Sequence, residues 1–260
     1  MGRFENKVVF ITGSGSGLGR EAALRFAAEG AVIAGADISA DGNADTARQV
    51  EAAGGKIHVG NPVDLTNETH TSTWIAQAVD ALGSIDVLFA SAGATKFSPI
   101  QETSIDEWQW VLKHELDLVF LPVKHAWEHL KSSKGTVVLV GSTAGVSGSM
   151  TNTRVAHSTT KGGLIAMAKQ LAGEGVLHGI RVNSVSPGMI RTPATEGDLL
   201  SPNHPMRNIA KAIPLQRIGT PSEVINCVLF LASQEASYVT GQNLMVDGGW
   251  STVLPGYGVI

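Results

Sequence analysis

Two features near the start of this 260-residue chain have residue types and a spacing that can do chemistry. A strand-like run, Val8 to Ile11, leads straight into Thr12-Gly13-Ser14-Gly15-Ser16-Gly17-Leu18-Gly19, where a helix opens. Backbone amides at a helix N-terminus, approached closely past glycines, form a seat for a pyrophosphate. Asp37 follows about twenty residues later, at the end of the second predicted strand, where a carboxylate accepts hydrogen bonds from both ribose hydroxyls and repels a 2′-phosphate. No Lys or Arg stands among Ser14, Gly15 and Ser16 to neutralise such a phosphate. The pattern therefore predicts a dinucleotide, NAD in preference to NADP, and with it hydride transfer. The competing reading makes Asp37 a solvated cap of the next turn.

The elements that must position these groups follow from hydrophobic patterning. Short apolar runs alternate with helical patterns along the whole chain, the signature of βαβ units around a parallel sheet buried on both faces. Strands are expected at Val8–Ile11, Ala31–Ala36, Ile57–Val59, Ile85–Ala90, Thr136–Val140, Arg181–Val185 and Asn243–Val246. Helices are expected at about Gly19–Glu29, Ala44–Ala53, Glu68–Leu82, Ile105–Leu130, Ser158–Glu174 and Ser222–Ala232. The expected fold class is α/β: a single domain over residues 1–260 with a doubly wound, Rossmann-type parallel sheet of seven strands and helices on both faces. Its 30 glycines exceed the usual ~7% share, as many tight strand-to-helix turns require. With 43% hydrophobic residues the chain can bury a substantial core. A net charge of −4 without a run of like charges argues against nucleic acid or an anionic membrane as partner. No segment has the length of a membrane span and no signal-type stretch precedes the first strand, so the expected location is the cytoplasm. The one cysteine, Cys227, reads as an inert thiol on a buried helix face.

Further motifs give the chain a family resemblance over nearly its whole length. Thr12-Gly13-x-x-x-Gly17-x-Gly19 resembles the cofactor motif of short-chain dehydrogenases/reductases. Asp64-Leu65 resembles the pair that holds the adenine, and Ser91-Ala92-Gly93 the family's Asn-Ala-Gly turn with serine for asparagine. The segment from Asn183 through Pro187, Gly188 and Ile190 to Thr192 resembles the one that contacts the nicotinamide end, and Gly241 to Gly249 the last strand and its turn.

The resemblance implies a catalytic set of Asn, Ser, Tyr and Lys, and here the chain departs from it. Ser142 matches the serine that orients the substrate oxygen. Lys161 matches the lysine that holds the nicotinamide ribose, so it and its neighbour His157 also border the cofactor. The tyrosine position falls on His157 and the asparagine position on Glu115; the two tyrosines, Tyr238 and Tyr257, both lie near the C-terminus. A neutral imidazole can take the proton of a bound alcohol while hydride leaves to NAD, and imidazolium can return it. A carboxylate at Glu115 would favour the charged ring, as an Asp orients His in hydrolases. His114 and Arg154 are the nearby alternatives for a polar role.

Three functions follow. The leading one is an NAD-dependent oxidation of a secondary alcohol, or reduction of its ketone, with His157 as acid and base. The second is reduction of an activated alkene, and the third a cofactor-binding protein without turnover. A metal site is not expected, since His125 and His129 lack a third ligand, and Ser142 lacks the Gly-x-Ser-x-Gly elbow of hydrolases. The stretch 189–214, with its prolines, is expected to form a substrate lid. The resemblance also implies a homo-tetramer or dimer, through apolar residues such as Leu116, Phe120 and Val123, or Leu164, Met167 and Leu171. The tail Thr252–Ile260, with Leu254, Tyr257, Val259 and Ile260, could pack on a neighbouring subunit.

Overall fold

The computed structural model describes residues 2–60 and 62–254. Seven parallel strands, β1 (Val8–Thr12), β2 (Val32–Ala36), β3 (Lys56–Val59), β4 (Val87–Ala90), β5 (Thr136–Val140), β6 (Arg181–Pro187) and β7 (Asn243–Val246), form one sheet in the order β3-β2-β1-β4-β5-β6-β7. This is the doubly wound sheet expected, with each strand end within about two residues of its predicted place. The helices are α1 (Gly17–Ala28), α2 (Ala40–Ala52), α3 (Glu68–Leu82), α4 (Ile105–Leu112), α5 (Leu118–Ser133), α6 (Val155–Gly175), α7 (Pro193–Gly197) and α8 (Pro221–Ala232).

Successive strand side chains point to opposite faces, and here both faces are apolar. Phe10, Leu88 and Leu139 meet Trp74 and Ile75 of α3, Val123 of α5 and Leu164 of α6. Val9, Ile11, Phe89 and Val138 meet Phe26 of α1 and Val224 and Val228 of α8. Leu88 is fully buried in the central strand β4. Leu88→Ala is therefore expected to lower unfolding free energy by about 2–5 kcal/mol, read as a lower urea midpoint at unchanged slope. Strand order reverses between β1 and β4, and a crevice opens there at the carboxyl ends.

Two helices depart from expectation at positions that matter for chemistry. The predicted helix Ile105–Leu130 is interrupted by a π-helical turn, Lys113–Asp117, between α4 and α5. Such turns widen a helix locally and change where a side chain is aimed. The helix expected from Ser158 begins at Val155, so His157 lies in its first turn. The expected irregular stretch after β6 carries α7, capped by Thr192 with Pro193 in its first turn, and a 3₁₀ turn over Pro205–Ala212. Its Met189, Met206 and Ile213 bury together in a small separate cluster.

Of the six residues considered for an interface, Val123 and Leu164 belong to the core, while Leu116, Met167 and Leu171 pack partly buried against it. Phe120 is 49% exposed. Cys227 is half-buried on α8 and burial pushes its thiol up. In the tail, Leu254 is exposed, whereas Tyr257, Val259 and Ile260 lie outside the described residues. Among the described residues, no helix is long and apolar enough to cross a membrane.

Candidate active site

A cavity of about 470 Å³ occupies the crevice at the carboxyl ends of β1, β2 and β4. The glycine turn after β1 forms one wall. Gly13 has φ +71, and a Cβ there would sit 2.9 Å from Cα of Ala92; a Cβ on Gly19 would sit 2.0 Å from the Gly13 carbonyl oxygen. Only glycine lets the turn close this tightly against both β4 and α1. Ser16, the N-cap of α1, makes no side-chain cap hydrogen bond. The first amides of α1 and the positive end of its dipole are thus available to a ligand, and they fit a dinucleotide pyrophosphate.

Gly13, Ser16, Gly17, Leu18, Gly19, Asp37, Asp64, Leu65, Ser91, Ala92, Gly93 and Thr192 all line this cavity. Pro187, Gly188 and Ile190 do not, nor do His157 and Lys161, which were also expected to border the cofactor. Because β6 runs on to Pro187, that residue pairs with Val246, the Gly188 amide donates to Val246 O at 3.0 Å, and Ile190 lines a second cavity of about 350 Å³. Residues without a chemical signature in the sequence, including Ile38, Leu118 and Ala194, complete the wall, together with His114.

The polar members of the wall are held by their own neighbours. Asp37 Oδ2 accepts from the Gly15 amide and Oδ1 from the Ser39 amide, both at 2.8 Å, so it braces two turns while it borders the cavity. Arg20, one turn into α1, is committed to Gly15 O, to Thr46 Oγ1 at 3.0 Å and to Asp45 at 2.9 Å. The Thr66 hydroxyl and amide donate to Asp64 Oδ1 and hold that carboxyl below its ordinary value. Ser91 Oγ donates to Thr12 O at 2.6 Å, tying the turn after β4 to β1.

Beyond Gly93, whose missing Cβ leaves 4.0 Å to Lys161 Nζ, lie the residues that can move a proton. His157 Nδ1 stands 2.8 Å from Glu115 Oε1 and 3.0 Å from Oε2. A carboxylate only accepts, so Nδ1 carries the hydrogen, and in the neutral ring Nε2 is left with a lone pair. The π-helical turn brings Glu115 across to α6, where Thr160 Oγ1 donates to its Oε2 at 2.5 Å. Burial alone would raise the Glu115 carboxyl. The hydrogen bond from His157, the charges of Lys161 and His157 and the Thr160 hydroxyl together hold it below the usual carboxylate range. Phe97 packs edge-on against the imidazole, their centroids 5.6 Å apart. About 13% of the His157 side chain is exposed.

Lys161 is buried and donates to Val140 O at 3.0 Å. Desolvation lowers its ammonium, and Glu115 opposes that effect. Ser142, after β5, accepts the Ala144 amide at 3.0 Å, so its own hydroxyl hydrogen stays free to donate. A Cβ on Gly145 would come within 2.7 Å of the Gly162 amide, which shows how closely this turn seats on α6 beside Lys161. Thr160 and Phe97 had no signal in the sequence, because their roles arise from contact across elements.

Comparisons with known proteins bear on the family of this fold. Residues 13–251 match the family model described as enoyl-(acyl carrier protein) reductase. The 3-oxoacyl-[acyl-carrier-protein] reductase FabG of Thermotoga maritima is 36% identical over 250 residues, covering 95% of this chain and 98% of the relative. Meso-2,3-butanediol dehydrogenase of Serratia marcescens is 33% identical over 248 residues, covering 95% of each. The crystal structure of levodione reductase superimposes with a TM-score of 0.91 at 30% identity, covering 96% of this chain and all of that one. On sequence, sheet order and crevice alike, the chain belongs to the short-chain dehydrogenase/reductase family, oxidoreductases that work with a nicotinamide cofactor.

Proposed function

We propose that this chain is an NAD-dependent dehydrogenase that interconverts a secondary alcohol and its ketone, with His157 as the acid and base. The observation that carries this reading is the Glu115–His157 pair, which pins the hydrogen on Nδ1 and leaves Nε2 as a base. NAD, when bound, supplies the hydride acceptor. As the carbinol carbon gives up hydride, the alcohol proton passes to Nε2, and Glu115 stabilises the imidazolium that results. Ser142 holds the substrate oxygen with its free hydrogen. Lys161, with one donor on Val140 O, keeps two for the nicotinamide ribose. In ketone reduction the same atoms run in reverse.

Asp37 supports NAD as the cofactor, as does the commitment of Arg20, the cation beside Gly15, to Gly15 O, Thr46 and Asp45. Asp37→Ser is expected to weaken NADH binding about 10- to 100-fold and to erase the discrimination against NADPH, measured by fluorescence titration with both. Unchanged discrimination would assign the preference elsewhere. Residues 189–214 serve as the substrate lid in this reading, and the protein works as a cytoplasmic homo-tetramer.

The function is tested by following NADH formation from NAD over cyclic and linear secondary alcohols between pH 6 and 10. Turnover of any of them upholds the reading. Turnover restricted to an activated alkene would replace it with alkene reduction, and tight NADH binding without hydride exchange would replace it with a binding protein.

A further inference from the structure

Two arginines in this protein are half-buried with desolvation lowering their guanidinium, and they differ in one respect. Arg181 donates to the carbonyls of Leu231, Val239 and Ser233, so its donors are met by backbone. Among the described residues, Arg154 has no such partners. Its buried Nε lacks any hydrogen bond, and no carboxylate opposes the effect of burial on it. A buried donor left unmet is costly, the more so when it is charged, so such a group in a folded protein calls for an explanation.

Its position supplies one. Arg154 caps the start of α6, its carbonyl accepting the Ser158 amide at 2.8 Å, three residues before His157. Phe97 packs edge-on against the imidazole, and its chain neighbour Lys96 holds its ammonium 4.5 Å above the Trp110 ring. Lys96 likewise has no carboxylate partner among the described residues. The one carboxylate of the site, Glu115, is taken by His157 and Thr160. Among the described residues, two cations without a carboxylate partner thus stand close in the chain to groups of the proton-transfer site, Arg154 three residues before His157 and Lys96 next to Phe97.

We propose that Arg154 is a substrate-binding residue and that the alcohol oxidised here carries a carboxylate, which the guanidinium receives, with Lys96 adding to the positive field at the rim. Arginine suits this task because its fork matches a carboxylate with two parallel hydrogen bonds. The inference rests on the dehydrogenase reading and narrows its substrate class to hydroxy acids and their keto acids. The reaction balances as before: hydride goes from the carbinol carbon to NAD and the hydroxyl proton to His157 Nε2, while the carboxylate remains unchanged.

The test uses 2-, 3- and 4-hydroxypentanoate, each enantiomer beside its primary amide, with the intact protein and NAD. Wild type is expected to prefer at least one acid over its amide by about 10- to 150-fold in kcat/KM, the factor that a charged hydrogen bond provides. Arg154→Met is expected to collapse that preference, and Arg154→Lys to keep its sign at reduced size. Calorimetric titration of the same compounds into the NADH complex gives a readout independent of turnover. Equal use and equal binding of acids and amides by wild type, or losses of equal size on both in Arg154→Met, would overturn the proposal. Acid binding that Arg154→Met abolishes, in a wild type that oxidises nothing, would uphold the anion site and overturn the dehydrogenase reading instead.

Discussion

His157→Ala is expected to lower kcat for alcohol oxidation by about 100- to 10,000-fold, the range that a positioned acid or base contributes, with NADH affinity little changed. The expectation follows from geometry. His157 Nδ1–H is fixed on Glu115, so Nε2 is the free basic atom of the pair, and the side chain is largely buried. With alanine there the substrate proton has no side-chain acceptor, and Glu115 loses the donor that stabilises its charge. Stopped-flow measurement of the hydride step separates this loss from slow product release. A hydride step that stays within tenfold of wild type would remove His157 from the chemistry. His157→Tyr restores the phenol usual in the family but strips Glu115 of its N–H partner, so it is expected to recover only part of the rate. Adding Glu115→Asn should recover more than the two single changes suggest, because residues in contact are not additive.

Glu115→Gln is expected to produce the second largest effect, a fall in kcat of about 10- to 1,000-fold together with a displaced pH profile. Glutamine can present either an acceptor or a donor to Nδ1, so the tautomer is no longer enforced, which is the way removal of an orienting carboxylate damages a His base. The sign of the pH shift comes from charge. Held below the ordinary range, Glu115 remains a carboxylate as pH falls, and it favours imidazolium over imidazole. Oxidation needs the neutral ring. Without the carboxylate the charged form of the site loses its counter-charge, so the acid limb of the kcat/KM profile is expected to move down. The same depressed carboxyl contributes folding stability above the unfolded carboxylate pKa, and that contribution disappears as pH falls through its folded value. An unmoved acid limb would show that Glu115 is structural only. In that event the buried carboxylate would serve Thr160 and the packing of the π-helical turn on α6.

Much of this could be read from the chain alone because it depends on local order. Alternating apolar runs and helical periods dictated the seven strands and the crossovers. The Gly13–Gly19 turn with Asp37 marked the crevice, and Ser142, His157, Lys161 and Glu115 could be singled out by their distance from recognisable motifs. The π-helical turn at Lys113–Asp117 could not, since its backbone hydrogen bonds depend on what packs against it; Pro122 is the one residue that signals irregularity in that helix. The extension of β6 to Pro187, after which the Gly188 amide bonds to Val246 O and Ile190 bridges to Gly219, depended on pairing with β7. Above all, the sequence placed Glu115 and His157 forty-two positions apart, and only tertiary packing brought them to 2.8 Å. Hydrogen bonds and ion pairs act over a few ångströms, so residue types decide what chemistry is available, and the fold decides which groups are close enough to perform it.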